Sequence, residues 1–174
     1  MRSLAIVVAV GVLAVVVAVG ALLALGARDE APVAPASGPG ELQPDKGARH
    51  LEGGERAPDS PPASPPTSGP HRAELITRER QELSDDEVLH ALELGDVVIF
   101  YPGTRPPAAL VALQRDLAGR FDAEVAAAGQ SVVLVRRPGV GPVTASAWRR
   151  LLRADGPDDP RVRAFAEHWL GRGA

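Results

Sequence analysis

Twenty-two consecutive residues, Leu4 to Leu25, carry no charge. As a helix rising about 1.5 Å per residue they span roughly 33 Å, enough to cross the hydrocarbon core of a bilayer. Such a run cannot join the core of a water-soluble fold, so it limits how much chain is left to build one. The expectation is a transmembrane signal-anchor helix over residues 4–26. A cleaved secretory signal is the alternative. Ala24-Leu25-Gly26 offers small residues at a cleavage spacing, but the apolar region of such a signal is typically about 7–15 residues. Arg2 before the run and Arg28 after it nearly balance the positive-inside count, so the three-residue tail ahead of the run sets the expectation of a cytoplasmic N-terminus. The chain then reads as a single-pass protein of the cell membrane with its C-terminal domain outside the cytoplasm.

The next stretch is equally restrictive. Residues 28–72 hold 10 Pro and 6 Gly, and no apolar period runs through them. A segment of that composition buries too little surface to offset its chain entropy. Residues 27–64 are therefore expected to be a Pro/Gly-rich disordered linker, its end packing on the domain. Residues 65–174 remain for one small extracytoplasmic domain.

Two absences narrow the chemistry. The chain has no cysteine, which excludes disulfides, thiolate metal sites and thiol catalysis. Its net charge is -3, without the basic excess of a nucleic-acid-binding protein, and no nucleic-acid partner is expected.

Within the domain, Ser84-Asp85-Asp86-Glu87 has the form of a capping box. It predicts a helix to Leu94 that stops at Gly95. Val97–Tyr101 and Ser131–Val135 are unbroken β-prone apolar runs, as strands covered on both faces require. Between them Pro106-Pro107 opens a helix expected to reach Phe121, with Ala128 as its furthest limit. Val143–Trp148 reads as an antiparallel return strand that Arg149–Leu152 extends, and Asp159-Pro160 as the start of a last helix. Glu74–Thr77 is a candidate short first strand. The predicted fold is an α/β sandwich of order (β)αβαββα. Thioredoxin-like domains share that order, and their redox cysteine pair is missing here.

Three strings carry a family resemblance: Pro65-Pro66-Thr67-Ser68-Gly69-Pro70-His71, Val88–Ile99 with His90 and Leu92-Glu93-Leu94-Gly95, and Thr144–Leu151. With Arg49-His50 and Gly53-Gly54 upstream, they resemble domain of unknown function 3105, a family of bacterial membrane-anchored proteins. Two departures stand out. Leu94 occupies the place of the family's second helix histidine, and Arg72-Ala73-Glu74-Leu75 replaces an aromatic-rich stretch. The resemblance implies a topology and no activity.

The histidines are the chemically informative residues. His90 lies opposite Val88, Leu89 and Leu92 on its helix, with Glu87 and Glu93 at i−3 and i+3. In the resembled family a second histidine at i+4 would share its face, as a metal pair requires. The Ser-Gly-Pro-His turn can bring His71 there, and His50 can follow it. The candidate metal ligands are therefore His71, His90, His50 and Glu93, a donor set suited to zinc or copper. The plain alternative is a hydrogen-bonded surface histidine at position 90 and a turn-capping one at 71. His168, beside Trp169, reads as partly exposed and outside any site.

Serine hydrolase and phosphate-loop patterns are absent. Arg136, Arg137, Arg149, Arg150 and Arg153 read as a solvated face paired with nearby acids. No catalytic residue is assigned. The leading expectation is a non-catalytic envelope module engaging another protein or the cell wall. The alternative is a His-based metal-binding or metal-handling domain, with a metal-dependent hydrolase behind it. Histidine rings converging within about 5 Å would favour the metal reading, since ligands lie near 2 Å from a shared ion.

Overall fold

A computed structural model describes residues 37–174. The expected membrane span at 4–26 lies outside the described residues, and among those described no helix is long and apolar enough to cross a membrane. From Gly38 to Ala174 the chain forms one compact unit. Its elements, in order, are β1 (Glu41–Leu42), α1 (Asp85–Leu94), β2 (Val97–Tyr101), α2 (Ala108–Ala118), α3 (Ala123–Ala127), β3 (Val132–Arg136), β4 (Val143–Ala147), β5 (Arg150–Ala154) and α4 (Pro160–Trp169). The result is a mixed α/β domain with a five-stranded sheet of order β1-β5-β4-β2-β3.

The two apolar runs form the centre of this sheet. β2 and β3 pair in parallel, Val97 opposite Val132 through Tyr101 opposite Arg136, joined by α2 and α3. Their side chains alternate between two cores. Val97, Ile99, Val132 and Leu134 face Leu110, Leu113, Val162 and Phe165 of α2 and α4. Val98, Phe100, Val133 and Val135 face Val88, Ala91 and Leu92 of α1. A strand buried on both sides has no polar face to show, which explains the missing alternation.

Helix α1 forms as its sequence dictates. The Ser84 side chain accepts from the Glu87 N–H while Glu87 reaches back to the Ser84 N–H. The helix ends at Gly95, whose φ of 119° belongs to the left-handed region that favours glycine. Gly95 also sits under two passing backbones, so an added Cβ would lie 3.1 Å from the Gly129 carbonyl.

Four expectations are corrected. The stretch read as spacer, residues 27–64, packs on the domain from Gly38 onward. Glu41–Leu42 adds to the sheet edge against β5, and Trp169 Nε1–H donates to the Pro39 carbonyl at 2.8 Å. Polar and ring contacts hold this segment, and an apolar-period reading cannot detect them. Glu74–Thr77 is not a strand; Ile76 alone inserts into the α1-side core. The helix after Pro107 breaks at Gly119, and Asp122 caps a new one by accepting from the Glu124 and Val125 N–H groups. The final return strand is a hairpin, with Ala147 opposite Arg150 and Trp148-Arg149 as its turn. Arg149 takes the left-handed φ of 57° without the Gly or Asn that usually signals such a turn. Its N–H donates to the Thr67 carbonyl at 2.8 Å and its guanidinium pairs with Asp45 at 3.2 Å, so contacts with the upstream segment hold it there.

Candidate metal centre

The upstream segment, residues 38–72, crosses the side of α1 that faces away from the sheet. That cover explains why Asp85, Asp86, Glu87 and His90 are buried along with Val88, Leu89, Ala91 and Leu92. Asp86 Oδ1 accepts from the Ala57 N–H at 3.0 Å and the Arg72 N–H at 2.8 Å. Asp85 accepts from the Ser60 N–H and pairs with Arg137. The first turn of α1 thus anchors the strap by binding its backbone.

The strap carries two histidines and aligns them on each other. The His71 N–H donates to the Arg49 carbonyl at 3.1 Å, and the Leu51 N–H donates to the His71 carbonyl at 2.7 Å. Residues 65–69 are buried as a knot. Ser68 Oγ donates to the Pro44 carbonyl and accepts from the Lys46 N–H, each at 3.1 Å, and the Gly69 N–H donates to the Gly47 carbonyl at 2.8 Å. Gly69 has φ +145°, which turns its own carbonyl onto His71 Nδ1 at 2.8 Å.

Three rings then meet over Glu93. Ring centroids lie 5.2 Å apart for His50 and His71, 5.4 Å for His50 and His90, and 5.6 Å for His71 and His90. His50 Nε2, His71 Nε2 and His90 Nδ1 stand 2.8, 3.1 and 3.3 Å from the same oxygen, Glu93 Oε2. One potential ligand atom from each of the four residues lies within 4.8 Å of all the others. A tetrahedral ion with ligands at about 2.0–2.1 Å separates them by about 3.3 Å; the carboxylate oxygen already stands at about that distance from the three nitrogens, which would draw together from at most 4.8 Å to complete such a shell.

The electrostatics suit a cation. The Gly69 carbonyl can only accept, so His71 Nδ1 donates to it. In a neutral ring Nε2 then bears a lone pair, and it faces a carboxylate oxygen across 3.1 Å. Two acceptors in contact call for a second ring proton or a cation between them. Burial lowers the His90 pKa and outweighs the hydrogen bond to Glu93, which raises it; a neutral imidazole is the ligating form. Burial also acts to raise the Glu93 pKa, but the His50 hydrogen bond and the nearby His50 and His71 charges together bring it below the ordinary glutamate value. The donor set is three nitrogens and one oxygen with no sulfur, which fits zinc or copper(II) better than copper(I).

All four candidate ligands named from the sequence are therefore neighbours, and the cluster closes without a donor at position 94. His168 lies apart, edge-on to Trp169 at 4.5 Å. Sequence reasoning missed the supports. Trp148 stands edge-on to His71 at 6.4 Å, in the hairpin turn where the sequence showed only a continuing strand. Asp85 and Asp86 read as helix-start residues; two acids beyond the need of the cap were the available signal. Around the hairpin Arg136 pairs with Glu82, Arg137 with Asp85, Arg149 with Asp45 and Arg153 with Glu41, as expected, but the solvated face expected there does not extend to Arg150, which is buried with its guanidinium 4.8 Å over the Trp169 ring.

Fold and cluster together define a small mixed α/β domain whose central helix and covering strap meet at a three-histidine, one-glutamate cluster. The family model described as protein of unknown function (DUF3105) matches residues 60–173, and the chain belongs to that family. His71, His90 and Glu93 fall inside the matched stretch and His50 lies ahead of it. No curated protein and no solved structure matches the chain.

Proposed function

We propose that this is a metal-binding domain that holds zinc or copper(II) on His50, His71, His90 and Glu93. One observation carries the reading: three ring nitrogens from two separated segments point at one glutamate oxygen, and the most buried ring has its other nitrogen committed to a carbonyl. A ligating histidine held in one tautomer by a carbonyl on its far nitrogen is the usual outer support of a metal site. The ion would supply a positive charge at the meeting point of four lone-pair donors. The chain's own residues orient the rings and exclude water on the His71 side.

On this reading the residue 4–26 span carries the domain at the cell membrane, outside the cytoplasm, where an envelope component gives or takes the metal. The finer likeness to a thioredoxin-like arrangement belongs to the same proposal and adds no chemistry to it. A purely adhesive envelope module has less support. The exposed large apolar side chains among the described residues, Leu42, Leu75 and Val125, lie on separate segments instead of one continuous strip. A hydrolase would need a base apart from the ligands, and Glu93 is itself in the donor set.

Metal content decides the matter. The full chain, purified without a His tag, is dialysed against zinc and separately against copper(II), and bound metal is measured by mass spectrometry. The expected result is near-stoichiometric metal in the parent, much reduced in His71→Ala and His90→Ala. Metal in the parent no higher than in both variants would sink the proposal.

A further inference from the structure

Exposure is graded across the four donors. The side chain of His71 is fully enclosed, that of His90 is 10% exposed, Glu93 20% and His50 48%. Support follows the same order. His71 is held at its ring and at both backbone polar groups. His90 and Glu93 stand three residues apart on a buried helix. The His50 ring sits at the rim, on a strap residue whose neighbours, Arg49 and Leu51, make the backbone bonds. A structural ion is normally closed off by four protected ligands; here one ligand lies half in water.

We infer that the site holds its metal as exchangeable cargo and passes it on through the His50 side. This rests on the metal-binding reading above. The step is a ligand substitution without electron transfer. An incoming nitrogen or oxygen donor forms a bond to the metal as the His50 Nε2–metal bond breaks. His50 turns out into water while His71, His90 and Glu93 keep hold until further incoming donors replace them in turn. The acceptor is accordingly a chelating partner that approaches from the rim. The closed side offers no entry, because the His71 side chain is fully buried, its Nδ1 is held by the Gly69 carbonyl and the Trp148 ring stands edge-on to it at 6.4 Å.

The test is release kinetics on the full chain loaded with zinc and mixed with a chromophoric chelator over a wide concentration range. A release rate that rises in proportion to chelator is expected, because the acceptor takes part in the step. His50→Ala should still bind zinc, about tenfold more weakly, and release it at least tenfold faster; His90→Ala should lose affinity further, by about a hundredfold. A parent rate that stays constant at every chelator concentration overturns the inference and leaves the metal site standing. So does a His50→Ala loss as deep as that of His90→Ala. A parent that takes up no zinc or copper overturns the metal reading itself.

Discussion

The sheet and the strap are held together by different physics. Around β2 and β3 the cohesion is apolar: Val97, Val98, Ile99 and Phe100 are fully buried, and so are their neighbours Val132, Val133 and Leu134. Hydrophobic burial is spread over many contacts and has no direction, so it tolerates local change. The strap, residues 38–72, has few apolar anchors. It is fixed at separate points, by Asp86 to Ala57 and Arg72, by the Arg149 N–H to the Thr67 carbonyl, and by Trp169 to Pro39. Such links are directional, and each failure leaves a polar group unpaired. The candidate metal centre lies at the seam, with His90 and Glu93 from α1 and His50 and His71 from the strap. A cation there would tie the weakly held region to the strongly held one.

The contrast is sharpest where the cores are deepest. Phe165→Ala, in the core beneath α4, should cost about 3–5 kcal/mol and lower the unfolding midpoint of the whole domain. Urea denaturation followed by far-UV circular dichroism measures it. A loss confined to the strap would show that sheet and strap do not differ in this way.

Asp86→Ala tests the opposite side. It removes the acceptor of two backbone N–H groups, for about 2–4 kcal/mol of local stability. Hydrogen exchange should rise across residues 47–72 while the amides of β2 and β3 keep their protection. Metal affinity should fall along with it, by about 10–100-fold, as when an outer support is lost. Uniform loss of protection would show that strap and sheet open as one unit.

Asp96 adds a pH-dependent term on the sheet side. Its carboxyl is buried, which pushes its pKa up to about 7, although the Ser131 N–H donates to it and pulls the other way. The folded protein thus binds a proton there between about pH 4 and pH 7 that the unfolded chain has released. Stability from this group is complete at the acid end of that window and falls as pH rises through it, by at most about 1.4 kcal/mol per pH unit. Asp96→Asn should remove the slope, so the stability of the variant relative to the parent should grow by a few kcal/mol from pH 5 to pH 8. Parallel melting curves at the two pH values would contradict this.

The smallest effect is expected at the cap. Ser84→Ala removes one half of the capping box and should cost about 1 kcal/mol. The loss should appear as fraying of the first turn of α1, where Asp85 and Asp86 grip the strap, so strap exchange should quicken slightly before the sheet responds. Unchanged exchange at Ala57 and Arg72 would separate the cap from the anchoring.

Much of the fold could be read from local signals. The capping box at Ser84 and the stop at Gly95 set α1 to the residue, and two unbroken apolar runs announced a doubly covered parallel pair. The misreadings fall where local chemistry is silent. The Trp148-Arg149 turn has no turn-forming residue and is kept by Thr67 and Asp45. Glu41–Leu42 is too short to show a period and is recruited by β5. The site was legible as a set of residues, because His90 and Glu93 share a helix face and the family resemblance supplied His71 and His50. Its convergence was not, since nothing local reveals that Asp86 anchors the strap or that Gly69 turns a carbonyl onto His71.

By itself, then, the sequence determined the elements whose causes lie within a few residues: caps, apolar runs and the choice of donor types. Tertiary structure alone decided where the strap lies, which edge β1 joins and that three imidazoles face one carboxylate. Those outcomes depend on hydrogen bonds between groups 14 to 130 residues apart. Such bonds follow from the final packing of the backbone, and no periodicity along the chain encodes them.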